Sequence, residues 1–180
     1  CTITNGDYYG ISYGGISSGN IKNCNFIETN FGLKLFDESN VNVTNTIFAH
    51  NQTYGIGVYT EIPTLEISYS LFWENIEDNC MENCPGWGGI WTQLELSSES
   101  EILYENPFFN NYNNNQLVSN LDFSLQENSP CINSGNPEFF DMDGSISDIG
   151  AIIYSETCNL SGDANGDFEL NILDIVQTVC

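Results

Sequence analysis

A motif that returns roughly every 22 residues limits the fold of this chain more than any other feature of the sequence. Three related runs end in phenylalanine and lie 22 and 24 residues apart at that position: Asn23-Cys24-Asn25-Phe26, Asn45-Thr46-Ile47-Phe48 and Tyr69-Ser70-Leu71-Phe72. A glycine followed by Ile or Leu recurs with almost the same spacing, at Gly10, Gly32, Gly55 and, after an insertion, Gly89. Self-similarity at a fixed period of this length indicates stacked structural repeats.

Apolar residues alternate with polar ones between these markers, as in Val41 and Val43. Alternation with a period of two predicts short strands and not helices. Asparagines follow the phenylalanines at the breaks between strands, at Asn30, Asn51 and Asn75. Asparagine tolerates left-handed backbone and can stack in ladders. The sequence therefore predicts an all-β solenoid with three short strands in each coil, in which a coil needs its neighbours to bury its inner face.

The Gly-Ile and Asn-x-x-Phe pattern resembles the right-handed parallel β-helix repeats of the pectin-lyase-like superfamily, over residues 1 to about 110. The motifs that follow are similar to the tail at the C-terminal end of bacterial β-helix domains: Asn106-Pro107-Phe108-Phe109, Asp122-Phe123-Ser124-Leu125, 129–135 and 141–151. The resemblance implies one domain over residues 1–157, made of coils and a closing segment. Asp143-Gly144 predicts a turn there, although Asp141, Asp143 and Asp148 could also hold a cation.

A second domain, residues 158–180, contains a loop with the oxygen spacing of a calcium site. Oxygen-bearing side chains occupy positions 1, 3, 5, 9 and 12 of twelve, and position 7 would donate its backbone carbonyl. The predicted calcium ligands are Asp163, Asn165, Asp167, Glu169, Asn171 and Asp174. Phe168 stands at position 6, where such loops normally carry glycine, so this loop turns differently or binds calcium more weakly.

The aspartate at position 12 and the apolar, helix-like residues after it resemble the first calcium repeat of a type I dockerin module. The resemblance implies calcium as a cofactor and a cohesin-like scaffold or cell-surface receptor as the partner. It also implies that 158–180 is a truncated half dockerin, whose second repeat lies beyond Cys180 in a longer chain. An acidic linker with chance spacing is the alternative.

The charge of the chain argues against some classes of binding partner. Its 25 acidic residues face only two basic ones, Lys22 and Lys34, which gives a formal net charge of -23. Such a surface repels nucleic acid and anionic membranes, and the sequence has no run of about 20 apolar residues to span a bilayer. Seven cysteines in such a chain indicate an oxidising location, so we expect a secreted or cell-surface protein.

Cys80 and Cys84 are the leading disulfide candidates, because they flank a short acidic loop. A zinc site there would need two further soft ligands, and the one histidine of the chain, His50, lies in a distant repeat. Two free thiols are the remaining interpretation.

Lys34, Trp87 and Trp91 are the candidate carbohydrate contacts. Lys34 lies between Leu33 and Leu35 in an alternating strand, so it points outward. Lys34 aligns with the outward position of Gly57, and Phe36 and Tyr59 stand two residues beyond Lys34 and Gly57 respectively. Outward aromatics can stack on sugar rings, but aromatics also pack under loops, and a solvated side chain is the simpler interpretation of Lys34.

The sequence identifies no catalytic group. The lyases that this chain resembles use Arg or Lys as a base, and related glycosidases use two or three carboxylates. The chain has no Arg and no paired-carboxylate motif on the predicted strands, and His50 lies beside a predicted turn as a hydrogen-bonded polar residue. Whether the protein is an enzyme stays open; if it is one, the resemblance implies a polysaccharide lyase or glycoside hydrolase.

Two hypotheses for function follow. The first is a secreted β-helix protein that binds or helps to break down extracellular polysaccharide and is attached through its calcium-dependent, dockerin-like module. The second is a non-catalytic surface or adhesin protein whose β-helix is a rigid spacer.

Overall fold

The computed structural model describes residues 1–60, 63–75, 101–112 and 121–154, and within these ranges the chain forms eleven β-strands and no helix. The strands are β1 (Thr2–Thr4), β2 (Tyr9–Tyr13), β3 (Ser18–Ile27), β4 (Phe31–Leu35), β5 (Asn40–Ala49), β6 (Tyr54–Val58), β7 (Thr64–Ser68), β8 (Ser70–Trp73), β9 (Ile102–Leu103), β10 (Phe109–Asn111) and β11 (Asp122–Leu125). A helix with the length and apolarity needed to cross a membrane does not occur in these ranges.

The strands wind into coils that stack in parallel. β1, β3, β5, β8 and β9 form one parallel sheet, with β7 also paired to β5, and β2, β4 and β6 form another. Phe26 lies opposite Phe48, and Phe48 lies opposite Phe72. The register therefore confirms the predicted repeat and the all-β solenoid built from it.

β3 and β5 each bend at an asparagine with left-handed backbone, Asn23 and Asn45, both with a φ of 49°. Asparagine suits such a corner because it adopts this conformation more readily than most residues. The bends give a coil three faces. We call them face 1 (18–22, 40–44 and 64–68), face 2 (24–27, 46–49 and 70–73) and face 3 (β2, β4 and β6).

Stacked phenylalanine rings fill the centre of the solenoid. The ring centres of Phe26 and Phe48 are 5.1 Å apart, those of Phe48 and Phe72 are 5.0 Å apart, and all three residues are fully buried. The glycine of the second sequence marker leaves room for them. A Cβ atom on Gly32 would lie 2.7 Å from the Phe48 ring and 2.5 Å from the backbone oxygen of Gly55. The two markers thus describe one glycine–phenylalanine contact that recurs from coil to coil.

A ladder of buried polar side chains lies at the corner after face 2. Asn51 Nδ2 donates to Asn75 Oδ1 over 2.8 Å, and Asn51 Oδ1 accepts from the amide and the hydroxyl of Thr29. Asn30 is not part of this ladder, because Thr29 occupies the equivalent position and Asn30 accepts a hydrogen bond from Thr53. Asn30 follows Phe26 by four residues, whereas Asn51 and Asn75 follow Phe48 and Phe72 by three, so Asn30 lies one residue beyond the ladder position.

The closing segment lies against the side of the solenoid, over face 2. β10 and β11 pair as an antiparallel hairpin. Apolar residues of this segment and of the outer side of face 2 form a second buried cluster, made of Ile27, Ile47, Ala49, Leu71, Phe109, Phe123, Leu125, Cys131 and Ile149. Asn45 fixes the segment to the coil corner, with Nδ2 donating to Ser147 Oγ over 2.7 Å and Oδ1 accepting from the Asn136 amide over 2.8 Å. Face 2 therefore packs apolar side chains on both of its sides, against the solenoid core on one side and against the closing segment on the other.

The aspartates of the closing segment accept hydrogen bonds from its backbone. Asp143 Oδ1 accepts from the amide and the hydroxyl of Ser145, as expected of the predicted turn. Asp148 is buried and accepts from the amides of Asn133 and Tyr154. In the described part of the chain, no group of three or more His, Cys, Asp or Glu side chains is arranged to hold a metal ion.

Candidate functional site

Lys34 lies in the middle strand of face 3 and points away from the core. Its neighbours in register are Ser12 on β2 and Gly57 on β6, as the sequence alignment of the coils predicts. Leu33 and Leu35 on either side are fully buried. The alternation of a strand therefore places the lysine on the outer surface of the solenoid.

Aromatic rings surround the ammonium group of Lys34. The Nζ atom donates to the Tyr9 hydroxyl over 2.9 Å and lies 4.4 Å from the centre of the Tyr9 ring. The centres of the Tyr59 and Phe36 rings are 4.3 Å and 5.6 Å away. All three distances fall within the range of cation–π attraction, about 6 Å. These contacts fix the position of the Lys34 ammonium group. Lys34 is therefore not the freely solvated side chain that the simpler interpretation of the sequence predicts.

These rings are part of a larger group on and beside face 3, which we call the aromatic strip: Tyr8, Tyr9, Phe31, Phe36, Tyr54 and Tyr59. Phe31 lies at its centre, and its ring centre is 5.8 Å from that of Tyr9, 5.6 Å from Tyr54 and 5.7 Å from Tyr59. Tyr54 is buried, but Tyr8 is 72% exposed and Tyr9 is 39% exposed. One end of the strip is therefore open to a ligand.

A second surface is a groove of about 390 Å³ between the coil corners and the hairpin of the closing segment. Its walls are His50, Trp73, Glu74, Asn106, Phe108, Phe109, Tyr112 and Gln126. We call it the hairpin groove. It combines aromatic faces with amide and carboxylate groups, which is the mixture that binding sites for small polar molecules use.

His50 and Tyr112 form the floor of the hairpin groove. Their rings stack with centres 4.2 Å apart, His50 Nδ1 lies 3.3 Å from Glu74 Oε2, and the Tyr112 hydroxyl donates to Glu28 Oε1 over 2.9 Å. Burial lowers the pKa of His50 although Glu74 and Glu28 act to raise it. Burial and the hydrogen bond to Glu28 raise the pKa of Tyr112. Both side chains are accordingly neutral near pH 7.

Phe108 stands at the edge of the hairpin groove with left-handed backbone, at a φ of 50°, and is 36% exposed. Such a conformation costs a residue with a side chain about 1 to 2 kcal/mol. Two hydrogen bonds hold it: the Phe108 amide donates to Asn106 Oδ1, and the Gln126 amide donates to the Phe108 carbonyl, both over 2.8 Å. The closing segment thus fixes an exposed aromatic ring beside the groove.

Sequence reasoning did not find the hairpin groove. It treated His50 as a polar residue at a turn, and it assigned Phe108 to the closing segment without a role in binding. Tyr112 of the groove donates a hydrogen bond to Glu28, which is 84 residues away, and no repeat spacing relates the two residues. Glu28, His50 and Glu74 stand at equivalent corners of three successive coils, each with left-handed backbone. Their spacing in the sequence could have indicated that His50 lies between two carboxylates.

The other predicted site residues lie outside the described residues. They are Trp87 and Trp91, the cysteine pair Cys80 and Cys84, and the calcium ligands Asp163, Asn165, Asp167, Glu169, Asn171 and Asp174. Their roles stay predictions from the sequence.

Comparison with known proteins identifies the repeats. A family model described as a right handed beta helix region matches residues 1–91. No curated protein and no solved structure matches the chain. The matched span contains strands β1 to β8, and therefore all three faces and the aromatic strip.

Proposed function

Because this chain belongs to the family of right-handed β-helix regions, we propose that it is a secreted polysaccharide-binding protein. The aromatic strip is the binding surface, and a calcium-dependent, dockerin-like segment attaches the protein to a larger assembly. The observation that carries the proposal is the exposed end of the strip, where Tyr8 and Tyr9 are open to solvent and the Tyr9 hydroxyl accepts a hydrogen bond from Lys34 Nζ.

The chemistry of the strip supports a sugar ligand. Aromatic faces stack against the apolar faces of sugar rings, while a hydroxyl and an ammonium group donate hydrogen bonds to sugar oxygens. Tyr9 and Lys34 provide both kinds of contact within 2.9 Å of each other. The coils repeat about every 4.7 to 4.9 Å along the solenoid, so the rings of the strip come from successive coils along one face, as contact with a polymer would require.

The charge of the protein favours a glycan without acidic groups. The chain carries a net charge of -23 and two basic side chains. Lys22 Nζ lies 2.8 Å from the centre of the Phe139 ring, and Lys34 lies among the rings of the strip, so aromatic rings already engage both lysines. A uronan would meet long-range repulsion on approach, and we therefore expect neutral polysaccharides to bind more tightly.

The proposal is one of binding. The resemblance to lyases would make Lys34 the candidate base. Its Nζ atom instead donates a hydrogen bond to the Tyr9 hydroxyl and lies among aromatic rings. Attachment rests on the sequence of the calcium loop alone, with Asp163 and Asp174 at its two ends, and its proposed partner is a cohesin-like scaffold or cell-surface receptor.

A rigid spacer is the second candidate function. The continuous phenylalanine stack and the ladder of Asn51 and Asn75 make a stiff rod, and part of the aromatic strip is buried, since Tyr54 is 2% exposed and Phe31 is 9% exposed. A spacer has no need of a glycan, so retention on polysaccharide distinguishes the two functions.

The test is retention of the chain on insoluble neutral polysaccharides and on an immobilised uronan. The proposal predicts retention on at least one neutral polysaccharide and weaker retention on the uronan. Trp87→Ala and Trp91→Ala, compared with Tyr9→Ala, show which aromatic residues carry it. Absence of retention on every polysaccharide would favour the spacer.

A further inference from the structure

We infer that Cys1 and Cys24 are a redox site, and that an oxidising exterior joins them in a disulfide that links the first coil to the second. Their Sγ atoms lie 3.0 Å apart. The inference does not depend on the glycan ligand proposed above.

The two cysteines are brought together by the register of adjacent strands. β1 pairs in parallel with the second half of β3, with Thr2 opposite Asn25, and the Asn25 amide donates to the Cys1 carbonyl over 2.8 Å. Neighbouring strands lie about 4.7 to 4.9 Å apart, a separation within the range of Cα distances that disulfides span, about 4.4 to 6.8 Å. The backbone therefore needs no large movement for the bond to form.

The same position in the later coils shows what a side chain there does. Cys24 Sγ donates to the carbonyl of the residue two before it over 3.2 Å, and the hydroxyls of Thr46 and Ser70 do the same over 2.9 Å each. A hydroxyl group is therefore sufficient to make this hydrogen bond at the corner. What the thiols add is the capacity to bond to each other, and they stand in adjacent coils.

The reaction has a defined order because the two thiols differ in access. Cys1 is exposed and Cys24 is buried. With glutathione disulfide as the oxidant, the Cys1 thiolate attacks one of its sulfur atoms, forms a mixed disulfide and releases one glutathione thiolate. The Cys24 thiolate then attacks Cys1 Sγ, which forms the Cys1–Cys24 bond and releases the second glutathione. Two protein thiols lose two electrons, and the oxidant gains them.

The bond would join two neighbouring coils covalently. β1 pairs with β3 in parallel, and a disulfide at Cys1 and Cys24 would hold these two strands together when the coils open locally.

Cys131 provides an internal control. It lies in the buried cluster under the closing segment, and burial raises the pKa of its thiol to about 12. A thiol that is rarely ionised reacts slowly with disulfides, so Cys131 should remain reduced under conditions that oxidise the first pair.

Peptide mapping of the full 180-residue chain tests the inference. The chain is equilibrated with glutathione disulfide, unfolded in an alkylating agent and digested after lysine and glutamate, which separates Cys1 from Cys24 at Lys22. The peptides are analysed by mass spectrometry with and without reduction. We expect one linked species that contains Cys1 and Cys24, with Cys131 alkylated, and a Tm about 5 to 10 °C higher than that of the reduced chain. Cys24→Ser places a hydroxyl at the corner, as in the later coils, and should lose this gain, while Cys131→Ser should retain it. Alkylation of both Cys1 and Cys24 after oxidation, or a link from either to another cysteine, would overturn the inference.

Discussion

The imidazole ring of His50 stacks on the phenol ring of Tyr112, with ring centres 4.2 Å apart and planes inclined by 16°. The contact joins a coil corner to the closing segment and leaves the histidine between two carboxylates, Glu28 and Glu74. Burial lowers the pKa of His50 from its ordinary value of 6.5, and this effect outweighs the opposing pull of the two glutamates. His50, in the floor of the hairpin groove, is therefore protonated at a lower pH than an ordinary histidine.

His50 should titrate below pH 6.5 in the folded chain. The chain has one histidine, so its imidazole signals can be followed by NMR without ambiguity. Glu74→Gln should lower the pKa further, because it removes a carboxylate that favours the imidazolium. Tyr112→Ala should return the pKa towards 6.5, because it exposes the ring. A pKa above 6.5 in the wild type would contradict the burial of His50.

Stability should decrease as the pH falls through this range. The unfolded chain binds a proton at His50 near pH 6.5, whereas the folded chain binds it at a lower pH, so the free energy of unfolding falls between these two values. His50→Gln keeps a polar side chain and removes this proton. Urea unfolding at about pH 7 and about pH 5.5 should show a larger loss of stability in the wild type than in His50→Gln. Equal losses would show that His50 does not carry the effect.

The ladder at the corner after face 2 should be a main source of stability. Asn51→Ala leaves the amide and hydroxyl of Thr29 without their buried acceptor, and it removes the side-chain donor to Asn75 Oδ1. We expect a loss of about 2 to 3 kcal/mol in the free energy of unfolding. Asn30→Ala is the matched control, because Asn30 is half-buried and outside the ladder, and it should cost no more than about 1.5 kcal/mol. A larger cost for Asn30→Ala than for Asn51→Ala would contradict this assignment.

Calcium should increase the helical circular dichroism signal of the chain, or of a version extended beyond Cys180 through a second repeat. Asp163→Ala removes the first ligand of the predicted loop and should abolish the increase. Asp143→Ala removes a carboxylate of similar charge that serves a turn with Ser145, and it should leave the increase intact. If calcium produces no increase in the extended wild-type chain, the dockerin-like assignment fails.

The sequence was a good guide where structure follows the repeat. Gly32 and Phe48 mark the coils because they touch in the core, so their spacing has a direct physical cause. The outward direction of Lys34 follows from the same alternation. The spacing also contains a further cysteine pair: Cys1 and Cys24 are 23 residues apart, about one coil, which favours a disulfide between neighbouring coils.

The sequence was a poor guide to the contacts between the repeats and the closing segment. Asn45 holds Asn136 and Ser147 from 91 and 102 residues away, and no period predicts which face the closing segment covers. The failure at Asn30 has a smaller cause: Asn30 follows Phe26 by four residues, whereas Asn51 and Asn75 follow their phenylalanines by three. The alternation predicts that Phe36 and Tyr59 point outward, but it does not predict the contacts of these rings or of Tyr9 with Lys34 Nζ, which depend on the stacking of the coils.

The most direct test of the account is the affinity of the aromatic strip for the neutral polysaccharide that retains the chain. Isothermal titration with an oligosaccharide of that polymer should show Tyr9→Ala weaker by about tenfold, because one stacking face is lost. Lys34→Met should also bind more weakly. Lys22→Met removes the same charge from face 1 and should bind as the wild type does. If Tyr9→Ala and Lys34→Met both bind with unchanged affinity, the aromatic strip is not the glycan-binding surface.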